Sequence, residues 1–502
     1  MNRLLAAGLF LGASAALFGA TACEQMKALP FTNASVTESE LVAAGPYKVP
    51  GPPGAPAAET MLPAHCRIAA TLRPSSDSDI KMELWLPVAG WNDRFEGVGN
   101  GGWAGNVTYA GMAQALKEGY ATASTDTGHA GGGDGAFALG HMEKVIDYSY
   151  RAVHEMTLKS KQMMEAFYGR GARFAYWNGC SYGGRQGLEE AQRYPEDYDG
   201  ILAGAPANYH LHLHAFDLNV SKTNLQDAAH MVPQEKLALL NKAVLAACDG
   251  QDGVKDGILT DPHKCNFDPA ALLCPSVTPS DTSNCLTAAQ LETVKTMYAP
   301  AKTKSGNVVY PGMPMGGELG WNRLYTPEPM GVPLGSYKYV LNQDANWDWK
   351  KFDLDRDVAA VDEKAGSTLN AINPDLTAFQ KHGGKLLMYH GWSDQLISAE
   401  NSISYYQSVL TKMGANQSNW YRLFMMPGMM HCRGGAGPDQ FSMMGIIERW
   451  RETNTPPEQI TAMHVAQNRV DMTRPLCPYP QVAAYKGQGN PSDAGNFACR
   501  AR

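Results

Sequence analysis

The sequence GCSYGG at residues 179–184 is the feature that most constrains what this chain can fold into. The six residues before it are aromatic-rich, as in a buried strand, and the ten residues after it can form a helix. In a sharp turn from a strand to a helix, the backbone crowds the apex, so positions two before and two after it must be nearly free of side-chain atoms. Gly179 and Gly183 meet this requirement on either side of Ser181. The pattern therefore predicts a nucleophile elbow, with an ordinary glycine-rich turn as the alternative.

Length and charge limit the kinds of protein this chain can be. Its 502 residues are enough for one large α/β domain with an insertion, or for two domains. The formal net charge of -7 is spread over the chain and no basic run is present. This distribution argues against a nucleic-acid partner.

The first residues predict export. Arg3 precedes apolar residues 4–18, and an A-x-A cleavage site follows at 20–22. We therefore predict a signal peptide over residues 1–22 and a secreted or periplasmic protein. The apolar run is too short to span a bilayer, so no membrane span is expected. A lipid anchor on Cys23 is the alternative, although a lipobox usually has a larger aliphatic residue three positions before the cysteine.

Export makes the cysteines informative, because disulfides persist in oxidising compartments. The ten cysteines are Cys23, Cys66, Cys180, Cys248, Cys265, Cys274, Cys285, Cys432, Cys477 and Cys499. This even number suggests five disulfides. Spacing makes three local pairs candidates, namely Cys248 with Cys265, Cys274 with Cys285, and Cys477 with Cys499. The other four stay unassigned at this point, and an acylated Cys23 would leave one of them unpaired.

The chain outside the elbow suggests a sheet with parallel and antiparallel parts. Residues 23–63 are rich in Pro, Gly and Ala and predict an extended arm. Residues 66–72 and 80–87 predict two antiparallel strands that start the sheet. Residues 201–206 predict an apolar strand after the elbow helix, and the spacing of strand, helix and strand implies parallel pairing.

The alternation of predicted strands and helices stops over residues 207–377. We predict that these residues form an inserted lid domain. The alternative is a separate C-terminal domain that begins there and does not return to the sheet. The sequence favours a return, because residues 384–390 and 420–426 both predict strands with a helix between them. The catalytic domain would then comprise residues 23–206 and 378–502.

A polar residue follows each of these two strands. Asp394 comes after the first and His431 after the second, so that with Ser181 the chain order is Ser, Asp, His. Each residue alone has a structural explanation, since Asp394 could cap a helix and His431 is one of thirteen histidines. All three together, each at the carboxyl end of a strand, predict an α/β-hydrolase fold with a catalytic triad.

A glycine-rich loop over residues 101–105 follows the strand predicted for residues 95–100. In α/β-hydrolases the loop after the third strand supplies one backbone N–H of the oxyanion hole, and the residue after the nucleophile supplies another. We predict these donors to be Gly102, in preference to Gly101, and Tyr182. A plain turn is the alternative, and no phosphate-loop sequence is present.

The cysteines beside two of the triad residues add a more specific pattern. The CS pair at 180–181, Asp394 and the HC pair at 431–432 resemble the CS-D-HC signature of the tannase and feruloyl esterase family. Members of that family are secreted serine esterases with an α/β-hydrolase domain and a lid. The resemblance extends from the first strands to Cys499. It implies a disulfide between Cys180 and Cys432, which leaves Cys23 to pair with Cys66.

The sequence CDGQDGVKDGI in the predicted lid interleaves carboxylates with glycines. Asp249, Asp252 and Asp256 can fold around a hard cation, although the glutamate of an EF-hand is missing. The family resemblance implies a structural Ca²⁺ held by these three side chains and by the carbonyls of Val254 and Ile258. Such an ion would order the lid rather than take part in the chemistry. A solvated acidic turn is the alternative.

The resemblance implies hydrolysis of carboxylic esters of aromatic acids, such as feruloyl, galloyl or related hydroxybenzoyl and hydroxycinnamoyl esters. The substrate would be a small aromatic ester, free or attached to a plant polymer, and no organic cofactor is needed. Ser181 would attack the ester, His431 would carry the proton and Asp394 would orient the imidazole.

Three other functions are alternatives. A hydrolase for mono(2-hydroxyethyl) terephthalate belongs to the same family, and it would need a cationic or hydroxyl partner for the free carboxylate of its substrate. A non-catalytic protein that binds aromatic compounds belongs to a different class, and the complete triad argues against it. A peptidase could use the same triad, but the family resemblance favours an esterase.

Overall fold

A computed structural model describes residues 21–50, 58–131, 133–275 and 282–502, and the structural statements below concern these residues. The predicted signal peptide over 1–22 lies outside them except for its last two residues. Within the described ranges, no helix combines the length and the apolar character needed to cross a membrane.

The strands and helices follow one another along the chain in an α/β pattern that an α-rich segment interrupts. The strands are β1 (Ala34–Val42), β2 (Gly45–Val49), β3 (Ala58–Leu62), β4 (His65–Leu72), β5 (Ile80–Pro87), β6 (Arg94–Val98), β7 (Ala121–Thr125), β8 (Phe174–Cys180), β9 (Gly200–Gly204), β10 (Ala301–Lys302), β11 (Val308–Tyr310), β12 (Lys385–Gly391), β13 (Tyr421–Met426), β14 (Ile460–Ala466), β15 (Arg469–Leu476), β16 (Val482–Tyr485) and β17 (Phe497–Arg500). The α-helices are α1 (Tyr109–Lys117), α2 (Met142–Ile146), α3 (Ala152–Tyr168), α4 (Tyr182–Arg193), α5 (His210–Asn224), α6 (Gln234–Cys248), α7 (Ala288–Tyr298), α8 (Gly331–Gly335), α9 (Leu354–Val361), α10 (Ser367–Leu369), α11 (Thr377–His382), α12 (Ala399–Met413) and α13 (Met443–Thr453).

A nine-stranded mixed sheet forms the centre of the molecule, in the order β1-β4-β5-β7-β6-β8-β9-β12-β13. The pairs β1–β4, β4–β5 and β5–β7 are antiparallel, and the strands from β7 to β13 pair in parallel. Apolar side chains of α3, α4 and α12 cover one face, and those of α1 and α13 pack on the other. This is the α/β-hydrolase fold that the sequence predicted. Because the parallel strands point the same way, the loops after β8, β12 and β13 meet at one edge of the sheet.

The N-terminal segment corrects one expectation. The prediction of an extended arm over residues 23–63 is wrong. Within this range β1 pairs with β4 at the edge of the central sheet, and β2 and β3 form a hairpin. Arg67 of β4 pairs with Glu38 and Glu40 of β1 at 2.8 and 2.9 Å. Only Val36 of β1 is buried, so this edge strand lacks the apolar alternation by which a strand is recognised in a sequence.

The segment between β9 and β12 leaves the central sheet. Among its described residues the only strands are β10 and β11, which pair with each other. Its helices from α5 to α9 share an apolar core with six buried residues that lie outside the segment, namely Trp103, Ala138, Val145, Tyr148, Tyr182 and Ile397. The inserted segment therefore packs directly against the glycine-rich loop and the start of the elbow helix.

Candidate active site

The elbow has the geometry that its glycines predicted. Ser181 stands between β8 and α4 with φ at 63°, a backbone conformation that side-chain-bearing residues rarely adopt. A Cβ atom on Gly179 would lie 2.3 Å from the carbonyl oxygen of Gly183, and one on Gly184 would lie 2.4 Å from that of Gly204. The Ser181 N–H donates to the Gly204 carbonyl at 2.9 Å. The turn is thus held by β9, and no larger residue fits at the flanking positions.

Asp394 is a buried carboxylate that meets four hydrogen-bond donors. Its Oδ1 accepts the backbone N–H groups of Leu396 at 2.8 Å and Ile397 at 2.9 Å. Its Oδ2 lies 2.7 Å from His431 Nδ1 and 3.1 Å from His390 Nε2. Asp394 therefore caps a turn, as its structural explanation suggested, and at the same time contacts the predicted histidine.

These contacts determine the charge of Asp394. Burial alone would raise its pKa, but the charge of His431 and the hydrogen bonds from His390 and His431 outweigh burial and hold the pKa well below its usual value. The carboxylate is consequently charged at neutral pH and needs a donor facing it. The Nδ1 atom of His431 therefore carries the proton, which leaves Nε2 free to accept one.

His390 is a residue of the site that sequence reasoning missed. It is fully buried at the end of β12, and its Nδ1 lies 2.7 Å from Ser402 Oγ while its Nε2 also lies 3.1 Å from the Ile397 carbonyl oxygen. The signal in the sequence was a histidine four residues before Asp394, in a strand whose only other charged residue is Lys385 at its start.

A disulfide joins the loops that carry the other two predicted triad residues. Cys180 precedes Ser181, Cys432 follows His431, and the two cysteines are bonded with their Cα atoms 6.0 Å apart. The backbone N–H of His431 also donates to Gln395 Oε1 at 3.0 Å. The elbow is thus tied to two loops at one edge of the sheet. These are the loop after β12 that carries Asp394, called the acid loop below, and the loop after β13 that carries His431.

One tyrosine links the two predicted oxyanion residues. The Tyr148 hydroxyl donates to the Gly102 carbonyl at 2.8 Å, and the Tyr182 hydroxyl donates to the Tyr148 carbonyl at 2.9 Å. The two tyrosine rings stack with centroids 4.2 Å apart. Tyr182 is the first residue of α4, where backbone N–H groups have no partner within the helix. Trp103, beside Gly102, donates its indole N–H to the Val332 carbonyl of the inserted segment at 2.8 Å.

The inserted segment also contacts the acid loop. Arg323 pairs with Asp217, both buried, and it donates to the carbonyl oxygens of Gln395 at 2.7 Å and Leu396 at 3.3 Å. Leu396 is one of the residues whose N–H binds Asp394. The position of the acid loop therefore depends on the insertion as well as on β12.

The predicted calcium ligands lie in one turn after α6. Asp249 Oδ1 accepts the N–H groups of Asp256 at 3.3 Å and Gly257 at 3.2 Å, and Asp252 Oδ1 accepts that of Val254 at 3.0 Å. Burial and the charges of Asp252 and Asp249 raise the pKa of Asp256, although its partner Arg474 opposes this. Three acids that repel one another in an oxygen-rich turn suit a hard cation.

This turn does not bring its carboxylates into a compact cluster. Across the described ranges, the group of three whose ligand atoms all lie within 4.8 Å of one another is a different one, His154, Glu190 and Asp197. Sequence reasoning did not identify that group, because its members come from two helices and a loop with no recognisable spacing.

The ten cysteines form five disulfides in the structure. The bonds join Cys23 with Cys66, Cys180 with Cys432, Cys248 with Cys265, Cys274 with Cys285, and Cys477 with Cys499. These are the pairs expected from the local spacing and from the family resemblance. Cys23 is bonded in this structure, so its sulfur has no place for a lipid.

Comparisons with known proteins identify the family of this chain. The model of the family described as tannase and feruloyl esterase matches residues 66–500. An uncharacterized esterase of Xanthomonas campestris pv. campestris is 34% identical over 99% of this chain and 94% of its own length. A probable feruloyl esterase B-1 of Aspergillus oryzae is 33% identical over 95% of this chain and 92% of its own length.

The solved structures include a protein of very similar fold. The crystal structure of feruloyl esterase B from Aspergillus oryzae superimposes with a TM-score of 0.89 at 33% sequence identity, covering 95% of this chain and 99% of that one. The similarity extends over both the sheet-bearing part and the insertion. The chain therefore belongs to the tannase and feruloyl esterase family, and it is a carboxylic ester hydrolase.

Proposed function

We propose that the protein is a secreted or periplasmic serine esterase that releases aromatic acids, such as ferulic, gallic or related hydroxybenzoic and hydroxycinnamic acids, from their esters. The observation that carries this proposal is the Asp394–His431 pair, joined to the Ser181 elbow by the Cys180–Cys432 disulfide, in a chain of this family. The five disulfides support an oxidising location.

In the proposed mechanism Ser181 Oγ attacks the ester carbonyl while His431 Nε2 takes its proton. The charge that develops on the carbonyl oxygen is stabilised by the backbone N–H groups of Gly102 and Tyr182. The imidazolium then gives its proton to the leaving alcohol, and an acyl-enzyme remains. Water, deprotonated by the same nitrogen, releases the aromatic acid and regenerates Ser181. Asp394 holds the ring and stabilises its positive charge in both halves of the reaction, and no organic cofactor is required.

His390 acts in this scheme as a positioning residue for Asp394. Its Nε2 donates to the same carboxylate oxygen that binds His431, so it limits the rotation of the carboxylate and withdraws part of its negative charge. Ser402 orients the His390 ring through Nδ1. His390 does not touch the substrate.

Residues 207–377 are proposed to form the lid and to shape the pocket for the aromatic acid. Support comes from the core that this segment shares with Trp103 and Tyr182, and from the hold of Arg323 on the acid loop. A lid that packs on both the oxyanion residues and the acid loop can set substrate specificity without contributing a triad residue.

The turn with Asp249, Asp252 and Asp256 is proposed to hold a structural Ca²⁺, together with the carbonyls of Val254 and Ile258. The all-oxygen donor set and the mutual repulsion of the carboxylates support this ion. Calcium there would neutralise the turn and order the segment that follows α6. These residues take no part in the ester chemistry.

The test is hydrolysis of a matched panel by the purified, disulfide-intact protein and by its Ser181→Ala variant. The panel comprises methyl ferulate, methyl gallate, mono(2-hydroxyethyl) terephthalate and p-nitrophenyl acetate. We expect turnover of a ferulate or gallate ester to exceed the rest, and the variant to lose several orders of magnitude in kcat while it keeps its thermal unfolding temperature. Retained turnover in the variant would refute the role of Ser181. Reaction with the activated p-nitrophenyl ester alone would refute the aromatic specificity.

A further inference from the structure

A second group of ionisable side chains lies at the far end of the elbow helix. His154 is on α3, Glu190 is near the end of α4, and Asp197 is in the loop that follows α4. One ligand atom of each residue lies within 4.8 Å of the other two. Since a helix rises 1.5 Å per residue, the nine residues from Ser181 to Glu190 place this group roughly 13 Å from the nucleophile.

The carboxylate of Glu190 is buried and has no hydrogen-bond donor among the residues that the structure describes. Its side chain is only 1% exposed, and neither carboxylate oxygen has a hydrogen-bond partner there. The two neighbouring arginines, Arg185 and Arg193, both pair with Glu189 instead, at 2.9 and 2.5 Å. A buried carboxylate that lacks donors is strongly unfavourable, so this position requires either a cation or a proton.

His154 and Asp197 supply the remaining donors of a cation site. His154 Nδ1 lies 2.6 Å from Asp197 Oδ2, and the imidazole stacks on Tyr194 with centroids 3.7 Å apart. The stacked ring has a fixed orientation. The charge of Lys161 lowers the pKa of Glu190, but its Nζ donates to the backbone carbonyl of Asp197 at 2.6 Å. One imidazole and two carboxylates form a donor set that suits zinc or manganese, whereas calcium prefers oxygen ligands alone.

We propose that His154, Glu190 and Asp197 bind one divalent transition-metal ion, of the zinc or manganese class, that fastens the end of α4 to α3. The ion has a structural role, because the group lies far from Ser181 and on the opposite end of the helix. Binding would stabilise the base of the helix whose other end forms the nucleophile elbow. This inference is independent of the esterase function.

A proton is the competing explanation. Burial and the charges of Asp197 and Glu189 raise the pKa of Glu190, and a protonated Glu190 could donate to Asp197. The two explanations predict different effects of added metal and of replacing Glu190 with a neutral side chain of the same shape. Glu190→Gln abolishes a metal site, but it preserves a neutral hydrogen-bonding pair.

The experiment uses the full-length, disulfide-intact protein, stripped with a chelator and returned to Ca²⁺ so that the proposed calcium turn is filled. Zn²⁺ and, separately, Mn²⁺ are titrated, and retained metal is measured by mass spectrometry of the elements after gel filtration, alongside thermal unfolding. We expect one retained equivalent of at least one of the two metals and an unfolding temperature higher by about 3–6 °C at saturation. Glu190→Gln and His154→Gln should each lose both effects.

Two control variants separate this site from the others. Asp249→Asn alters the proposed calcium turn and should keep the zinc-class response, and Ser181→Ala should keep it as well even without esterase activity. Failure of the wild type to retain either metal, with no change in unfolding temperature, would overturn the proposal. Equal retention by wild type, Glu190→Gln and His154→Gln would show metal bound elsewhere and would also overturn it. If added metal does not change the unfolding temperature of the wild type, and Glu190→Gln unfolds at a higher temperature than the wild type, then Glu190 shares a proton with Asp197 instead of binding a metal.

Discussion

Two carboxylates in the sheet-bearing part of the molecule are equally buried and yet have opposite electrostatic environments. Asp394, in the loop after β12, and Glu96, within β6, are each only 2% exposed. Asp394 meets four donors, and its pKa is held well below the usual value. Glu96 accepts one hydrogen bond, from Asn178 at 3.1 Å, its other oxygen has no partner in the described ranges, and burial raises its pKa to about 8.

The comparison shows that burial alone does not determine whether an acid is charged. At Asp394 the charge of His431 and the hydrogen bonds from His390 and His431 outweigh burial, whereas at Glu96 the one hydrogen bond from Asn178 does not. Asp394 is consequently suited to stabilise a protonated imidazole at neutral pH. Glu96, which is mostly protonated at that pH, is suited to packing against Asn178 beneath the elbow.

The largest effect on catalysis is expected from Asp394→Asn. An amide has no charge with which to stabilise the imidazolium and can favour the wrong tautomer of His431, so we expect kcat to fall by roughly 10³- to 10⁴-fold. Glu96→Gln is the matched control, because it removes an equally buried carboxyl group and should leave kcat within about twofold. Steady-state kinetics on the best ester of the panel measure both. Equal losses in the two variants would contradict this interpretation, because they would show that the different donors do not distinguish two equally buried acids in catalysis.

A smaller effect is expected from removal of one of the four donors. His390→Leu should lower kcat by about 5- to 50-fold with little change in KM, because the hydrogen bond to Asp394 Oδ2 is lost while the triad remains. His390→Gln, which keeps an N–H donor, should recover part of the rate, and Ser402→Ala should have an intermediate effect. Failure of His390→Gln to recover any of the rate that His390→Leu loses would reduce His390 to a packing role.

The two acids should also differ in how they link stability to pH. The pKa of Glu96 rises from 4.5 to about 8 on folding, so the unfolded chain loses its proton first and stability falls as the pH rises between these values. The unfolding temperature of the wild type relative to Glu96→Gln should therefore fall by several degrees from pH 5 to pH 8.

For Asp394, whose pKa is lowered, the stabilisation is complete above about pH 4. The difference between wild type and Asp394→Asn should thus stay constant over that range, and parallel curves for both variants would contradict the assignment.

The smallest effect on activity is expected from removal of the proposed calcium ion. Chelation of Ca²⁺ should lower the unfolding temperature by about 2–5 °C, because the carboxylates of Asp249, Asp252 and Asp256 would again repel one another. The value of kcat at 25 °C should change by less than about twofold. Asp252→Asn should be less stable than the wild type and should no longer respond to Ca²⁺. If Ca²⁺ raises the unfolding temperature of Asp252→Asn as much as that of the wild type, the ion binds at another site.

Much of the architecture was determined by local sequence. Gly179 could be recognised because a Cβ atom there would meet the backbone of Gly183 in the same turn, whereas a Cβ atom on Gly183 would meet Asn100 of the loop after β6. The parallel strands were visible as short apolar runs, and their order placed Asp394 and His431 at the same edge of the sheet as the elbow. β1 was missed, since an edge strand with one buried residue has no pattern of its own.

The tertiary structure alone decided which of these polar groups are charged and what holds them. The second histidine on Asp394, the tyrosine that joins Gly102 to Tyr182, and the isolation of Glu190 all depend on contacts between segments far apart in the chain. Sequence periodicity records which face of an element is buried, but not which donors the neighbouring element brings to it. For that physical reason the sequence determined the fold and where its candidate nucleophile, acid and base lie, whereas only the folded chain distinguished Asp394 from Glu96 and assembled His154, Glu190 and Asp197.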